Sequence, residues 1–510
     1  MSIFGVGIEA DSRLNIGVNF RLFSRVLGLL LMLESLALFA CALFGGFDAG
    51  MGDSATIALG VAALSALLSG ATLAFLGRGK YDRIPRREAV LIVGAGWLLS
   101  GVIGSVPFIL SDPGLPVGAA FFESVSGLTT TGSTVIADLS QWPRSILLWR
   151  ALSQWFGGLG ILVLFVALLS SLGAGTKSLF RNESSFEASE ASHAKIRDTA
   201  VLLWRIYLLF TVVCMSGLKA LGMTWFDAIC HGFTCVSTGG FSTHNESISF
   251  FSNWETGLAI ELWLILFMLL GSFSFLLYAV LLRRNFARLK RDEELKWYLT
   301  LITLAIGCVV AVNVVVGGHE VGAALRGGVF TVISIISSTG YGTMDFEQWP
   351  VVTHFIILGL MFVGGCSGST SGGFKVSRLI LILRSVYQEI VQAFRPHQVF
   401  RMQVNGNSIN DQSRAQTVLF ACLYLFIIFA STIVVSLLEV ASEADFDTIA
   451  SSVFATLSNM GPGLGDIGPT NNFSNFREPT LIYLGLLMVM GRLELFAFLV
   501  LFVPAAWKKY

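Results

Sequence analysis

The sequence of 510 residues contains few charged side chains: Asp, Glu, Lys and Arg together make up 13% of it, and the formal net charge is zero. A soluble domain keeps about 25% charged residues, most of them on its surface. This chain therefore lacks the side chains that a water-facing shell requires. It also lacks a basic tract, which excludes nucleic-acid binding as its function. Because 54% of its residues are hydrophobic, we expect a lipid bilayer to be its main solvent.

Cysteine is scarce as well, with seven residues, and nearly all of them lie within apolar stretches. This predicts buried thiols and no disulfide framework or metal cluster. The sequence also lacks a Walker-type phosphate loop. A Gly-x-Ser-Gly motif that ends at Gly368 resembles that of intramembrane serine proteases, but no histidine lies where it could act as the base for Ser367. We therefore expect that the protein is not an enzyme.

Long apolar runs are what the sequence has in abundance. A membrane-spanning helix needs about 20 mostly apolar residues. Ten stretches meet this requirement: 22–44, 55–76, 90–110, 145–171, 200–221, 256–282, 298–317, 351–386, 416–440 and 480–506. The first is too long for a signal peptide and lacks a cleavage site of small residues, so we predict a helix that is retained. The sequence thus predicts an all-α polytopic membrane protein with about ten transmembrane helices.

Lysine and arginine collect in alternate loops, after the second, sixth and eighth apolar stretches and at the end of the chain. Because positively charged loops stay in the cytoplasm, this predicts a multi-pass protein with both termini cytoplasmic. Shorter semi-apolar segments then lie on the outer side, and none is long enough to cross the bilayer. They are 119–131, 226–238, 324–339 and 446–460.

Each of these short segments ends in a turn that contains glycine. The turns read TTTGS, VSTGG, SSTGY and SNMGP, with the aligned glycines at Gly132, Gly239, Gly340 and Gly461. They recur roughly every 100 to 120 residues, which is too long for a solenoid and suits a pseudo-fourfold ring. We predict four pseudo-repeats of helix, pore loop and helix around a central pore, plus an extra N-terminal helix hairpin. The expected boundaries are 1–80 for the N-terminal segment and hairpin, then 81–175, 176–290, 291–395 and 396–510 for the repeats.

The turns have the composition of a cation-binding backbone. Irregular backbone survives at membrane depth only where protein or a water-filled cavity satisfies its polar groups. Four such turns on one axis would present rings of carbonyl oxygens that replace the hydration shell of an ion. Glycine permits the required backbone angles, and the carboxyl ends of the short helices add partial negative charge. One such turn is typical of an ordinary loop, whereas four on the same side favour a cation pore.

At these turns the chain resembles the Trk/Ktr/HKT superfamily of potassium transporters, and within it the bacterial TrkH/TrkG branch. The segment Ser338 to Gly342 is similar to an abbreviated potassium-channel filter. The resemblance implies potassium uptake across the bacterial cytoplasmic (inner) membrane. The filter residues it implies are Thr130, Thr131, Gly132, Ser237, Thr238, Gly239, Ser338, Thr339, Gly340, Asn459, Met460 and Gly461. Glycine in all four turns implies a preference for potassium, although the fourth turn departs from the others because Asn459 and Met460 replace hydroxyl residues.

The eighth apolar stretch is interrupted by a run of glycine and serine that cannot hold a straight helix. The resemblance implies that this run, 364–374, is an intramembrane gating loop below the filter. The residues assigned to it are Gly364, Gly365, Ser367, Gly368, Ser369, Gly372, Gly373 and the following Lys375. The alternative is a patch of glycines that allows neighbouring helices to pack closely.

Arg492 lies within the last apolar stretch, about 18 Å from its start at 1.5 Å per residue. A charge at that depth is costly and is therefore a candidate for function. The resemblance places Arg492 in the cavity under the filter, where a fixed positive charge would raise the barrier to cations. The alternative is a structural ion pair, either with Glu494 or with a carboxylate on another helix.

The cytoplasmic segments 173–199, 283–297 and 387–415 are charged and too short to fold alone, so we expect them to dock a partner. The resemblance implies a homodimer and a cytosolic TrkA-like ring. A nucleotide (ATP, ADP or NAD) would bind only to that ring, and the potassium ion is the only ligand expected on this chain. The alternative function is a potassium symporter coupled to protons or sodium, with alternating access. Four repeats of one orientation favour channel-like permeation.

Overall fold

The computed structural model describes residues 19–79, 86–160, 196–282, 284, 286–396, 402–405, 407–442 and 444–507. In this part of the chain the secondary structure is helical except for one antiparallel pair of two-residue strands, Gln403–Val404 and Asn407–Ser408. Six of the described helices are long and apolar enough to cross a membrane, and two bent helix pairs raise that number to eight. The protein is therefore an all-helical, multi-span membrane protein.

The first two helices, Phe20–Asp48 and Ser54–Leu76, pack tightly against each other. The side chain of Asp53 caps the second helix by accepting a hydrogen bond from the backbone N–H of Thr56. A β-carbon on Gly28 would lie 2.5 Å from the carbonyl oxygen of Gly70. Only glycine permits such an approach, which is a common way for membrane helices to associate.

The rest of the described chain repeats one arrangement four times. A long helix leads to a short helix, an irregular turn and a further helix. The long leading helices are Arg86–Leu110, Ile196–Ala220, Glu293–Val315 and Asp411–Leu438. The short helices are Val117–Leu128, Trp225–Val236, Val321–Ile336 and Phe446–Leu457. After each turn comes a further helix, and the first segments of these helices are Arg144–Trp155, Gly257–Ser272, Val351–Val363 and Glu478–Arg492. We call these four units repeats one to four.

The helices that follow the turns in repeats two, three and four are broken, and the sequence predicted such a break only in repeat three. The second bends by 92° between Gly257–Ser272 and Phe275–Leu282, and the fourth by 116° after Glu478–Arg492. At the second of these bends Glu494 and Leu495 have left-handed φ values of 57° and 56°. The third is interrupted by the predicted loop and resumes as Val376–Phe394.

The remainder of repeat one and the segments predicted to be cytoplasmic are described only in part. The predicted span 145–171 starts as Arg144–Trp155 and continues as a π-helical segment, Phe156–Gly160. Its remaining residues and most of the predicted docking segment 173–199 lie outside the described residues.

The two largest clusters of buried apolar side chains each join two repeats. One joins residues of repeats two and three, such as Tyr207, Phe275 and Ile336. The other joins residues of repeats one and four, such as Phe122, Val453 and Leu484. The short helices lie inside these clusters, so the turns at their carboxyl ends are held from behind by packed side chains.

Candidate ion-binding turns and the loop beneath them

The four turns share one backbone geometry. After each short helix and its capping residue comes a residue with left-handed backbone: Thr130, Thr238, Ser338 and Asn459, with φ between 52° and 55°. The backbone N–H of the following residue donates a hydrogen bond to a carbonyl of the short helix. The N–H of Thr131 donates to the carbonyl of Ser126 at 2.9 Å, and that of Gly239 to the carbonyl of Thr234 at 2.8 Å. This is a Schellman cap. Because the N–H groups are used within the turn, carbonyl oxygens are what the turn can offer outward.

The structure corrects the register of the second turn by one residue. Gly132 and Gly340 follow the left-handed residue by two positions and have φ values of 85° and 80°. The matching residue of repeat two is Gly240, with φ 81°, and not Gly239. The short helix there ends at Val236, and this boundary fixes the alignment. Gly132, Gly240 and Gly340 are partly exposed, whereas Gly239 is buried.

The same alignment moves the other members of the second turn. Ser237 is the helix-capping residue and matches Thr129, while Thr238 matches Thr130. Gly239 takes the position that Thr131, Thr339 and Met460 hold elsewhere. In the fourth turn Gly461 keeps its position but lacks a left-handed φ.

The turns meet one another in a closed cycle. A β-carbon on Gly132 would lie 2.1 Å from the carbonyl oxygen of Gly239, and one on Gly240 would lie 1.8 Å from that of Thr339. A β-carbon on Gly340 would lie 3.1 Å from the backbone nitrogen of Gly461, and one on Gly461 would lie 3.3 Å from the carbonyl oxygen of Gly132. Each repeat therefore touches the next, and the fourth touches the first.

Polar side chains join the fourth turn to the first. The amide of Asn459 donates to the hydroxyl of Thr131 at 3.0 Å and to the carbonyl of Met488 at 2.9 Å. The hydroxyl of Ser133 donates to the carbonyl of Gly461 at 2.7 Å. The departure of the fourth turn from the hydroxyl pattern thus has a structural counterpart, because Asn459 spans a distance that a threonine would not.

A buried ion pair supports the first turn from behind. Arg150 donates to Glu123 at 2.7 Å, and the two side chains are 2% and 0% exposed. Glu123 also accepts from the backbone N–H of Val135 at 2.9 Å, and Arg150 reaches the carbonyl of Ser242 in repeat two at 3.2 Å. The sequence revealed both charges within apolar segments but not that they pair.

The loops that follow the first and third turns carry a second internal repeat that the sequence interpretation missed. DLSQWP in repeat one and DFEQWP in repeat three each form a single 3₁₀ turn. The leading Asp138 accepts hydrogen bonds from Asn245, Ser140 and Gln141, which hold its pKa below the ordinary range. Asp138 therefore remains ionised at neutral pH, and its contact with Asn245 at 3.0 Å joins repeats one and two.

The segment 364–375 fills the gap left by the broken helix of repeat two. The N–H of Cys366 donates to the carbonyl of Ser272 at 3.0 Å, and the N–H of Phe275 donates to the carbonyl of Gly368 at 3.0 Å. The N–H of Thr370 reaches the carbonyl of Gly271 at 3.2 Å. Two irregular segments thus satisfy each other's backbone groups, which is a condition for both to exist inside a membrane.

This loop lies directly against the turns. The hydroxyl of Ser371 donates to the carbonyl of Ser337 at 2.7 Å, and the N–H of Gly372 donates to the hydroxyl of Ser338 at 2.6 Å. A β-carbon on Gly372 would lie 2.2 Å from the carbonyl oxygen of Ser458. The hydroxyl of Thr370 lies 3.2 Å from that of Thr238, so the loop also contacts the second turn. Thr370 and Ser371 lie within the predicted run 364–374 but were not among the residues assigned to the gate.

The other predicted loop residues have different surroundings. The backbones of Gly364 and Gly373 lie in close contact, since a β-carbon on Gly373 would lie 2.8 Å from the Cα of Gly364. Ser367 points away from the turns, and its N–H donates to the carboxylate of Glu294 at 2.7 Å. The N–H of Ser377 donates to the same Glu294 oxygen at 3.1 Å. Glu294 therefore joins the loop at Ser367 to the start of the helix that follows it.

Two cationic side chains donate hydrogen bonds to backbone carbonyls of the loop. Arg492 donates to the carbonyl of Thr370 at 2.9 Å and to that of Gly157 at 2.7 Å. Lys375 donates to the carbonyl of Ser371. Glu494, the alternative partner suggested by the sequence, lies 2.6 Å from Arg378. The structure thus brings Arg492, Lys375 and the loop together next to the turns.

A multi-span helical protein with four converging backbone turns belongs to the class of membrane transporters of ions and is not an enzyme. The family model described as "TrkH: Cation transport protein" matches residues 56–509. The chain therefore belongs to the TrkH cation transport family.

Relatives of known name agree over nearly the full length. The chain is 36% identical to the Trk system potassium uptake protein TrkH of Halomonas elongata over 497 residues, which is 96% of this chain and 100% of the relative. It is 34% identical to TrkG of Escherichia coli K12 over 427 residues, 83% of this chain and 86% of the relative. The crystal structure of the potassium transporter TrkH from Vibrio parahaemolyticus superposes with a TM-score of 0.84 at 31% identity, covering 96% of this chain and 100% of that one.

Proposed function

We propose that this protein takes up potassium across the bacterial cytoplasmic membrane through a single pore whose selectivity filter is the ring of four turns. The observation that carries the proposal is the closed cycle of glycine contacts, in which each turn touches the backbone of the next. Carbonyl oxygens arranged around one axis can replace the hydration shell of potassium. The relatives named above, which are potassium uptake proteins, support potassium as the ion.

The filter residues follow from the corrected alignment. They are Thr130, Thr131 and Gly132; Thr238, Gly239 and Gly240; Ser338, Thr339 and Gly340; and Asn459, Met460 and Gly461. Ser237 takes the helix-capping position and supports its turn from behind. Three of the four glycines at the filter position are partly exposed, as expected of residues that line a water-filled lumen.

Growth at low potassium, in cells that lack their own uptake systems, tests the filter. Gly240→Ala is expected to abolish growth, because φ is left-handed there and the β-carbon would meet the carbonyl of Thr339. The matched control is Gly307→Ala, since nothing lies within 4 Å of a β-carbon at Gly307. Full growth of folded Gly240→Ala protein would contradict the filter assignment.

The loop 364–375 is proposed as the gate, with Lys375 and Arg492 as a positive barrier below the filter. The contacts of the loop with the second, third and fourth turns support this role, because a loop that touches the turns cannot move without opening space beneath them. Both cations bind the loop through its carbonyls, so displacement of the loop would also release the cations.

A cytosolic TrkA-like ring is the proposed regulator, with any nucleotide bound on the ring, and a homodimer is the proposed assembly. The start of the helix Glu293–Val315 supports a route for regulation. Glu293 lies 2.6 Å from Arg384, and its N–H donates to Asn405 in the cytoplasmic strand pair at 2.6 Å. The adjacent Glu294 holds the loop. A partner that moves the strand pair would act on the loop through one helix end.

The second candidate function is a potassium symporter coupled to protons or sodium. The three broken helices favour it, because discontinuous helices at membrane depth are typical of secondary transporters. Currents in planar bilayers separate the two functions. A reversal potential set by the potassium gradient alone supports the pore, and one that shifts with a proton or sodium gradient supports the symporter.

A further inference from the structure

The side chain of Gln154 reaches from repeat one into the filter turn of repeat two. Gln154 belongs to the helix Arg144–Trp155 and is 0% exposed. Its amide nitrogen donates to the carbonyl of Gly239 at 2.7 Å, and its amide oxygen accepts from the N–H of Phe241 at 3.1 Å. These two bonds lie on either side of Gly240, so one rigid amide fixes the peptide groups that flank the filter glycine.

The same helix makes a second contact with this turn. Arg150 lies one helical turn before Gln154, on the same face, and donates to the carbonyl of Ser242. Arg150 is itself held by Glu123. The position of Gln154 is therefore set by a buried ion pair, and the carbonyl of Gly239 is set by Gln154.

Gln154 also explains why repeat two departs from the pattern of the other turns. At the position of Gly239 the other repeats carry Thr131, Thr339 and Met460. A β-carbon on Gly239 would lie 2.4 Å from the side-chain carbon and oxygen of the Gln154 amide. A side chain at residue 239 and the Gln154 amide cannot occupy this space together. The first glycine of the pair thus makes room for the amide, while the second serves the filter.

We propose that Gln154 is a positioning residue that sets ion selectivity by fixing the backbone of the second filter turn. The inference rests on the proposed function of the four turns as a filter. Because the carbonyl of Gly239 also lies next to Gly132 in the ring, a change at Gln154 would alter the spacing of two neighbouring turns. The hydrogen bonds hold the turn at the width that suits a dehydrated potassium ion.

The experiment compares potassium and sodium fluxes of the full-length protein in liposomes. Gln154→Met keeps the length of the side chain but removes both hydrogen bonds. The ratio of potassium to sodium flux is expected to fall about three- to tenfold, which corresponds to the net contribution of about one hydrogen bond. Gln141→Leu is the control, because Gln141 lies exposed in an outer loop of the same repeat. An unchanged ratio in folded Gln154→Met overturns the inference.

A double-mutant cycle separates positioning from general loss of structure. Gly239→Ala alone is expected to lower the flux ratio, because the added β-carbon displaces Gln154. In a Gln154→Ala background the same change is expected to have no further effect. If the two substitutions lower the flux ratio additively, the inference is overturned. Because the cycle uses Gln154→Ala, it tests the inference even if Gln154→Met does not fold.

Failure of this inference and failure of the filter proposal give different results. If Gly240→Ala abolishes potassium flux while Gln154→Met leaves the flux ratio unchanged, only the role of Gln154 is wrong. If folded Gly240→Ala transports potassium normally, the filter proposal itself fails.

Discussion

Four residues with a β-carbon adopt a left-handed backbone conformation, which costs each of them about 1–2 kcal/mol. Thr130, Thr238, Ser338 and Asn459 are the first residues of the four proposed filter segments, and all carry this cost. Glycine would avoid the strain, so the chain retains polar side chains at the expense of stability. Strain that recurs in four repeats indicates that the side chains themselves are needed. In the described structure the hydroxyl of Thr130 is buried and makes no hydrogen bond.

Thr130→Val removes that hydroxyl and keeps the shape of the side chain. Because the hydroxyl bonds no described residue, thermal stability in detergent is expected to change little. Potassium flux is expected to fall several-fold if the hydroxyl faces the ion path. Unchanged flux would show that Thr130 supports the turn and does not contact ions.

Arg492→Gln removes a positive charge and keeps a hydrogen-bond donor. Potassium flux in liposomes is expected to rise several-fold, because a fixed cation near the path repels potassium most strongly where water is scarce. Arg492→Lys keeps the charge and serves as the control. A lower flux in Arg492→Gln would favour a structural role in holding the loop.

Glu123→Gln breaks the buried pair with Arg150. We expect the free energy of unfolding to fall by about 3–5 kcal/mol, because the arginine is left buried without its partner. The control is Arg144→Gln, whose pair with Asp48 is half exposed and contributes about 1 kcal/mol or less. Thermal unfolding of both variants in the same detergent measures the difference, and equal shifts would refute it.

Among the elements, the loop 364–375 and the broken helix after Gly257–Ser272 depend on each other. Each supplies the backbone partners that the other lacks, so neither can be regular while the other is broken. Among the described residues, the carboxylate of Glu294 accepts hydrogen bonds both from Ser367 in the loop and from Ser377 at the start of the next helix. The loop is thus anchored through the helix end that contacts the strand pair as well as through the turns.

Glu294→Ala is expected to free the loop. Without any cytosolic partner, basal potassium flux should increase, since the N–H groups of Ser367 and Ser377 lose their acceptor. Glu389→Ala is the control, because Glu389 is an exposed carboxylate that lies 3.7 Å from Arg414 and does not touch the loop. Equal basal fluxes of the two variants would argue against an anchoring role.

Much of this element pattern could be predicted from the sequence, for identifiable physical reasons. The short helices lie within a few residues of their predicted positions because apolar length and glycine turns are local signals. The bends near Phe273 and Glu494 were missed because their backbone partners lie in other segments. The register at Gly239 was wrong because a Gly-Gly pair allows two alignments, and only the end of the helix at Val236 decides between them. Gln154 could not be recognised, since it acts on a different repeat.

For the whole molecule, the ring of turns is closed but unequal. Gly132 has a left-handed φ and would meet a neighbouring backbone oxygen at 2.1 Å, whereas Gly461 lacks that φ and has 3.3 Å to its neighbour. Repeat four also contributes Asn459 and Met460 where other repeats have smaller or hydroxyl side chains. The four turns of the ring are therefore under different steric constraints.

Gly132→Ala and Gly461→Ala test this inequality. Gly132→Ala is expected to abolish growth at low potassium, because its β-carbon would meet backbone and its φ would be strained. Gly461→Ala is expected to retain measurable uptake, since the neighbouring atoms need to shift by only a few tenths of an ångström. Equal loss in both variants would show that the ring tolerates no change in any quadrant.

One gene encodes all four corners of this ring, and that has an evolutionary consequence. In a channel assembled from four identical subunits, each amino-acid substitution occurs four times around the pore, so even a small change has a large effect on the ion path. Here a nucleotide substitution alters a single quadrant. If the ring is the filter, as proposed, selection can change one turn at a time. Neighbouring residues such as Gln154 and Gly239 can then change together while the turns of repeats three and four keep their residues.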